Sequence, residues 1–295
     1  MAQWEGKSKG LVLGYKIFIF FINNIGIRAA YVLLSFVSFY FFIFSPKGTK
    51  TSFYFFHQRL GFSKLKSFLK TYKNIFVFGQ TLIDKVAISS GLNNRFTYDH
   101  DGGEAIKKLL KENKGGILIS AHVGNFEIAE YFFDEIDINS QINLVTTDNE
   151  RQAIKEYLES VSIKSSIKFI VIEPDMSHIF KINNALSNNE LICFTGDRYF
   201  EGNKTLTEKL LGKNAKFPAG PFLLGSRIKA PVIFVYVMKE ANKHYHLYAR
   251  VAKFKNRDAQ DLLKKYTESI EDILKKYPYQ WFNYFDFWDK NPNKN

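Results

Sequence analysis

The chain has 295 residues, 46% of them hydrophobic, enough for one large α/β domain together with a membrane-associated segment. Lysine and arginine outnumber acidic residues 41 to 29, a formal charge of +12 that suits an anionic bilayer, an acidic carrier protein or a nucleic acid. Nucleic acid is set aside, because the basic residues are spread along the chain with no zinc-finger spacing and no arginine-rich recognition helix. The single Cys193, inside an apolar run, excludes an intrachain disulfide framework and reads as a small buried hydrophobe.

Residues 11–44 are strongly apolar, broken at Asn23-Asn24 and Arg28, and 29–44 carry no charge. Counted from Ile25, the run reaches about the twenty residues of a spanning helix. Lys7, Lys9 and Lys16 make a positive start like that of a cleavable signal peptide, but the apolar run is too long and no A-x-A site follows Phe44. A retained anchor over 1–50 is therefore expected, spanning or monotopic. Lys16 on one flank and Lys47 and Lys50 on the other leave its orientation open. A buried core helix is disfavoured, since the run is apolar nearly all round.

Residues 51–295 read as one domain whose first part, 51–98, is helical and membrane-proximal. Lys64, Lys66, Lys70 and Lys73 stand among Phe62, Leu65, Phe68, Leu69 and Tyr72. This basic amphipathic pattern fits an anionic membrane surface, or equally a helix packed on the domain with a solvated lysine face. From 100 onward short apolar strands alternate with helices. Strands are expected over 116–121, 142–147, 167–172, 191–195, 232–238 and 244–251. Helices are expected over 104–112, 126–136, 150–161, 177–186, 221–228 and 258–277. That alternation argues for an α/β sheet covered on both faces, with ligands beyond the carboxyl ends of its strands. Residues 289–295 read as a frayed tail.

The densest chemistry lies at the end of the first of these strands, in Ser120-Ala121-His122-Val123-Gly124-Asn125-Phe126-Glu127. His122 and Glu127 read as a general base and its orienting carboxylate. Five residues apart, they would lie on different faces of an ideal helix, so the chain must turn between them. Gly124 permits such a turn, and Asn125 is a good N-cap for the helix that follows, whose free N–H groups would stabilise negative charge. Asp197 and Arg198 follow the 191–195 strand, again at a carboxyl end, and by themselves fit a local ion pair or a turn cap. Arg151, after Asp148-Asn149, fits a phosphate contact or a solvated first turn. His57, His100, His178, His244 and His246 show no metal spacing, and no Ser, Cys or Thr sits in a nucleophile elbow.

His122-Val123-Gly124-Asn125-Phe126-Glu127 resembles the H-x-x-x-x-D/E motif of the lysophospholipid acyltransferase superfamily. In its H-x-G-N-[WF]-E form it is most similar to the lipid A branch, the late acyltransferases of bacterial lipid A biosynthesis. Gly196-Asp197-Arg198, Phe217-Pro218-Ala219-Gly220-Pro221 and Ala230-Pro231-Val232 resemble further blocks of that family, and an anchor-like segment precedes them as it does there. Tyr277-Pro278-Tyr279-Gln280-Trp281 resembles its closing P-x-Q-W/Y element, with aromatics that line a lipid portal or pack on the domain. The likeness covers nearly the whole chain.

The resemblance implies a glycerolipid acyltransferase-like α/β fold, a mostly parallel central sheet flanked by helices behind an N-terminal anchor helix. It implies an O-acyltransferase at the cytoplasmic face of a bacterial inner membrane. The donor would be an acyl thioester of acyl carrier protein, whose acidic surface suits a basic enzyme, and the acceptor a hydroxyl of a lipid A precursor. No cofactor, metal or acyl-enzyme is implied. His122 would be the base and Glu127 its partner, with Gly124, Asn125, Arg151, Asp197, Arg198 and Gly220 on the substrate side. Ala219 stands where the wider superfamily has the glutamate of F-P-E-G, which weakens a lysophosphatidate acyltransferase reading and is compatible with the lipid A branch. The same chemistry on an aryl polyene, a flexirubin-type pigment or an aminolipid stays open beside lipid A. So does a non-catalytic protein that binds lipid or carrier at the membrane surface.

Overall fold

A computed structural model of the chain describes residues 12–92, 95–129, 131, 140–147, 152, 167–199, 202–241 and 243–288, with the side chains of 12–16, 89, 90 and 127 outside that description. Arg151, most of the helices expected over 126–136 and 150–161, and the tail 289–295 lie outside the described residues.

The apolar N-terminal run divides into α1 (Val12–Asn24) and α2 (Ile27–Phe44). The break follows Asn23-Asn24, where Gly26 takes a φ of 112° that a residue with a Cβ rarely adopts. Among the described helices, α2 alone is long and apolar enough to cross a membrane. Next, α3 (Pro46–Tyr54) opens on a proline, whose missing N–H costs nothing in a first turn, and passes into a π-helical turn at Phe55–Arg59. The long helix α4 (Lys64–Ala87) is capped by Ser63, whose Oγ accepts from the Lys66 N–H.

Helix α2 lies antiparallel along α4: Tyr31 meets Asp84, Leu34 meets Gly79 and Phe42 meets Phe68. Its buried stripe, Ala30, Leu34, Ser38 and Phe42, has the four-residue spacing of one helix face. Gly79 makes the close approach possible, since a Cβ there would lie 2.4 Å from Leu34 Cδ1. The N-terminal half of α4 is inverted relative to a soluble helix. It buries Ser67, Thr71 and Asn74 completely and leaves Leu65, Phe68 and Leu69 at 72, 52 and 60% exposed. The buried polar groups are satisfied: Thr71 Oγ1 donates to Ser67 O at 2.8 Å, and Asn74 Nδ2 donates to the carbonyls of Tyr279 and Trp281, each at 2.9 Å.

The described strands are β1 (Thr97–Asp101), β2 (Gly116–Ser120), β3 (Ile142–Thr146), β4 (Lys168–Val171), β5 (Leu191–Thr195), β6 (Thr205–Leu210), β7 (Lys213–Pro218), β8 (Val232–Lys239) and β9 (His244–Val251). Seven of them form one sheet in the order β1-β9-β8-β2-β5-β3-β4, parallel at every neighbour but β8–β9. The remaining two, β6 and β7, form a separate antiparallel hairpin. Alternate side chains face two cores. Ile117, Ile119, Phe194 and Phe234 lie on one side, Leu118, Leu191, Ile233 and Val235 on the other. Between the strands run α5 (Gly103–Lys111), α6 (Ser177–Ser187), α7 (Ala219–Arg227) and α8 (Ala259–Lys276). Phe222 of α7 and Leu262, Tyr266 and Ile270 of α8 cover the first face. Ile106 of α5, Ile83 of α4 and Leu34 of α2 cover the second. The result is the mostly parallel α/β sheet flanked by helices that the sequence predicts, behind an apolar N-terminal helix.

Three strands fall outside the expected set. The sequence of β1, Thr-Tyr-Asp-His-Asp, is polar because it forms a largely exposed edge of the sheet. The hairpin of β6 and β7 carries charged residues on its outer face and closes through Leu211 and Gly212, at φ of 50° and 78°, the two-residue turn that matches strand twist.

Candidate active site

Two adjacent strands bring the site together. In the parallel pair of β2 and β5, Ser120 is level with Thr195, so the residues two places further on, His122 and Asp197, emerge side by side beyond the carboxyl ends. The ladder continues one step past the strands, with Gly196 N–H donating to Ser120 O at 2.9 Å. A Cβ on Gly196 would come within 2.9 Å of the Tyr266 ring, whose hydroxyl donates to the same Ser120 carbonyl at 2.8 Å.

Asp197 is fully buried and takes hold of His122 twice. Its Oδ1 lies 2.8 Å from the imidazole Nδ1, and its Oδ2 accepts from the His122 backbone N–H at 3.0 Å. Asn283 Nδ2 donates to Oδ2 at 2.9 Å. Burial alone would push the Asp197 carboxyl up. The charge and hydrogen bond of His122, the charge of Arg198 and the Asn283 amide outweigh it and hold the group down at about 2. An anionic Asp197 on Nδ1 favours the tautomer with its proton there, which makes Nε2 the basic nitrogen. The His122 side chain is 21% exposed, so it forms the outward end of a pair whose carboxylate is sealed. Phe126 packs edge-on to the imidazole at 5.7 Å between ring centres.

The turn after His122 is laced into its neighbours. Phe282 N–H donates to His122 O at 3.1 Å, Gly124 N–H to Gln280 O at 2.9 Å, and Asn125 N–H to Val237 O at 2.7 Å. Gly124 has a φ of 68°, and a Cβ on it would lie 2.2 Å from Val237 O. One expectation is corrected here. Asn125 occupies the N-cap position of a short 3-10 turn, Phe126–Ile128, but its side chain does not cap it. The Asn125 amide is buried and donates instead to Thr81 O at 3.0 Å and to Tyr245 OH at 3.4 Å. The backbone N–H groups of Gly124 and Asn125 are spent on the scaffold, because the turn is zipped between β8 and the 280–282 segment.

Asp197, expected on the substrate side, lies behind His122 with both oxygens engaged. Arg198 turns toward the chain terminus: Nε donates to Asn283 Oδ1 at 2.8 Å, Nη2 donates to Phe282 O at 3.0 Å, and the guanidinium sits 5.8 Å above the Phe285 ring. Gly220 lies exposed in the first turn of α7, where a Cβ would touch nothing within 4 Å. Glu127 has its backbone in the 3-10 turn, and its side chain lies outside the described residues. The closing aromatics pack on the domain: Trp281 is buried against Phe55 and Phe287. Asn283 stands in no expected motif, and only its place two residues after Trp281 points to it. Among the described residues no group of three or more His, Cys, Asp or Glu side chains is arranged to hold a metal ion.

Comparison with curated proteins gives no match. The family model described as bacterial lipid A biosynthesis acyltransferase matches residues 72–288, a stretch that holds the whole sheet, the His122–Asp197 pair and the closing aromatic segment. The chain therefore belongs to the bacterial lipid A biosynthesis acyltransferase family and is an acyltransferase.

Proposed function

We propose that the protein transfers a fatty acyl chain from an acyl thioester, carried by acyl carrier protein, to a hydroxyl of a lipid A precursor, at the cytoplasmic face of a bacterial inner membrane. The observation that carries this reading is the His122–Asp197 pair at the carboxyl ends of two adjacent strands, inside the family match. His122 Nε2 takes the proton of the acceptor hydroxyl as its oxygen attacks the thioester carbonyl carbon. The tetrahedral adduct then collapses, the C–S bond breaks, and the imidazolium returns the proton to the departing sulfur. Asp197 fixes the tautomer and balances the imidazolium charge. Glu127, by resemblance, is the carboxylate of the motif and shares the orienting role with Asp197, and a drop in turnover for Glu127→Gln smaller than that for Asp197→Asn is expected from this division of labour.

The outer surface of α2 and α4 supports a membrane location. Val32, Phe36, Phe39, Tyr40 and Phe44 of α2 and Leu65, Phe68 and Leu69 of α4 are exposed together, beside the exposed Lys64 and Lys66. So large an apolar surface with lysines at its margin suits an anionic bilayer. The seating of α2 along α4 favours an anchor embedded along this face, with 1–50 as the anchor and 51–295 as the catalytic part. Mass spectrometry of lipid A from cells with the protein, without it, and with His122→Ala tests the whole reading. Loss of one acyl chain in both altered strains is expected. Lipid A unchanged in both would overturn the acceptor assignment, and wild-type lipid A in His122→Ala alone would overturn the base.

A further inference from the structure

We infer that Tyr31, Asp84, Lys239 and Tyr245 form a positioning device that ties the seat of the N-terminal anchor helix to the catalytic turn, an inference that rests on reading His122 as the base. Lys239 Nζ lies 2.6 Å from Asp84 Oδ2 with both side chains buried. Two charges taken out of water are costly unless every remaining polar atom is met. Here they are met from four elements. Tyr245 OH of β9 donates to Asp84 Oδ2 at 2.6 Å, Tyr31 OH of α2 donates to Asp84 Oδ1, and Lys239 Nζ reaches Tyr31 OH at 3.2 Å. The ammonium also lies 5.4 Å from the centre of the Tyr31 ring and 5.1 Å from that of Tyr245. One oxygen of Asp84 thus finds its hydroxyl only when α2 is in its place on α4.

None of these four groups touches His122, yet two hydrogen-bonded routes lead from them to its turn. In the first, the Lys239 backbone is clasped by Gln280, which donates to its carbonyl at 2.6 Å and accepts from its N–H at 2.9 Å. The Gln280 carbonyl in turn holds Gly124 N–H at 2.9 Å. In the second, Tyr245 OH accepts from the Asn125 amide at 3.4 Å, and the same amide donates to Thr81 O, one turn before Asp84 on α4. The two residues that follow His122 by two and three places are therefore pinned to the same buried ion pair that the anchor helix completes. A base displaced by a fraction of an ångström loses rate while substrate binding at other contacts persists, so the effect belongs in kcat.

The test uses the full-length protein in detergent micelles, with a mixed-length pool of acyl thioesters of acyl carrier protein and a lipid A precursor. Tyr31→Phe removes one hydroxyl. Asp84→Leu/Lys239→Met removes both charges together, so that neither is left buried alone. The expected result is a kcat lower by about tenfold in Tyr31→Phe and about a hundredfold in the double variant, with KM for the donor unchanged. The thermal midpoint of the double variant is expected to match the wild type or exceed it. Wild-type kcat in either variant at a wild-type midpoint would overturn the positioning role, and if the double variant fails to fold, Tyr31→Phe decides by the same criterion. His122→Ala is run alongside. Turnover persisting there overturns the base assignment and this inference with it, whereas an inactive His122→Ala beside fully active Tyr31→Phe overturns the positioning role alone.

Discussion

Two buried carboxylates organise this molecule, and they differ in what closes the far side of their basic partner. Asp197 holds His122, whose ring remains 21% exposed, while Asp84 holds Lys239, which is sealed beneath Tyr31 and Tyr245. Both pairs include a residue at the carboxyl end of a central strand of the same sheet, and both are completed by neutral side chains: Asn283 for Asp197, the two tyrosines for Asp84. The first pair therefore offers a nitrogen to an incoming group. The second has no such opening and can act only on the position of what surrounds it. Similar ingredients thus yield the candidate reactive centre in one place and a sealed hub in the other, and the variable that separates them is exposure of the basic group.

The sharpest way to break the comparison is to delete each base or acid and compare rate with stability. His122→Ala should lower turnover by about 10²- to 10⁴-fold and cost less stability than Asp84→Ala, because the His122 backbone N–H and the Asn283 amide still donate to the buried Asp197. Asp84→Ala should do the reverse in stability, costing about 3–5 kcal/mol by leaving Lys239 buried and unpaired. Purified protein, assayed for acyl transfer and melted in the same detergent, reads both. A large midpoint loss in His122→Ala would erase the distinction. Asp197→Asn should follow His122→Ala closely, with kcat down and KM held, because an amide cannot accept from both Nδ1–H and the backbone N–H without turning its own N–H groups against one of them. A Glu127→Gln variant slower than Asp197→Asn would move the orienting role to Glu127.

Gly124→Ala is the next largest effect. The new methyl would meet Val237 O at 2.2 Å from a φ of 68°, so the turn must either shift or unzip from β8. A loss of about 1–3 kcal/mol and of most activity is expected, read by melting and by turnover. The pH dependence of the reactive pair is smaller and has a definite sign. The folded Asp197 carboxyl lies at about 2, below its ordinary 3.8, so its contribution is whole above pH 3.8 and is lost as pH falls toward 2. The difference in unfolding free energy between wild type and Asp197→Asn should shrink over that window by on the order of 2 kcal/mol. A difference that stays constant from pH 5 to pH 2 would show that Asp197 is not held ionised by its partners.

The reactive centre was legible in sequence only in part, for a physical reason. His122 after an apolar strand, with Gly124 two places on, is a local pattern, and it locates the proposed base and the turn. Glu127 takes the orienting role from the motif itself, and its side chain lies outside the described residues. Asp197 acquires its contact through strand order: 75 residues separate it from His122, and only the adjacency of β2 and β5 in register brings them level. Asp84 and Lys239 are harder still, since a lone aspartate late in a helix and a lysine at a strand end look like ordinary surface charges. The hairpin of β6 and β7 escaped because its exposed residues, Thr207, Lys209 and Asn214, are polar and its apolar ones are few. The helices and buried strands were readable because their periodicity is fixed by one neighbouring core, whereas the contacts that make the site depend on which elements become neighbours.

The smallest expected effect on the fold tests the anchor that joins the two regions. Leu34 and Phe36 are two residues apart on α2, one buried against Gly79 and the other 70% exposed. If the outer face of α2 meets lipid, Phe36→Asp should leave the melting midpoint in detergent unchanged and weaken co-flotation with anionic vesicles, since exposing a phenylalanine forfeits about 1.5–3 kcal/mol of apolar burial. Leu34→Ala should instead cost about 2–5 kcal/mol of stability and loosen α2 from α4, so that any loss of vesicle binding follows the loss of fold. Because Tyr31 lies one turn before Leu34 on the same buried side, Leu34→Ala should also lower kcat at temperatures well below its midpoint, and Phe36→Asp should not. Equal effects of the two variants on flotation and on kcat would mean that α2 reaches the membrane and the ion pair by the same surface, which the seating of its buried stripe on α4 argues against.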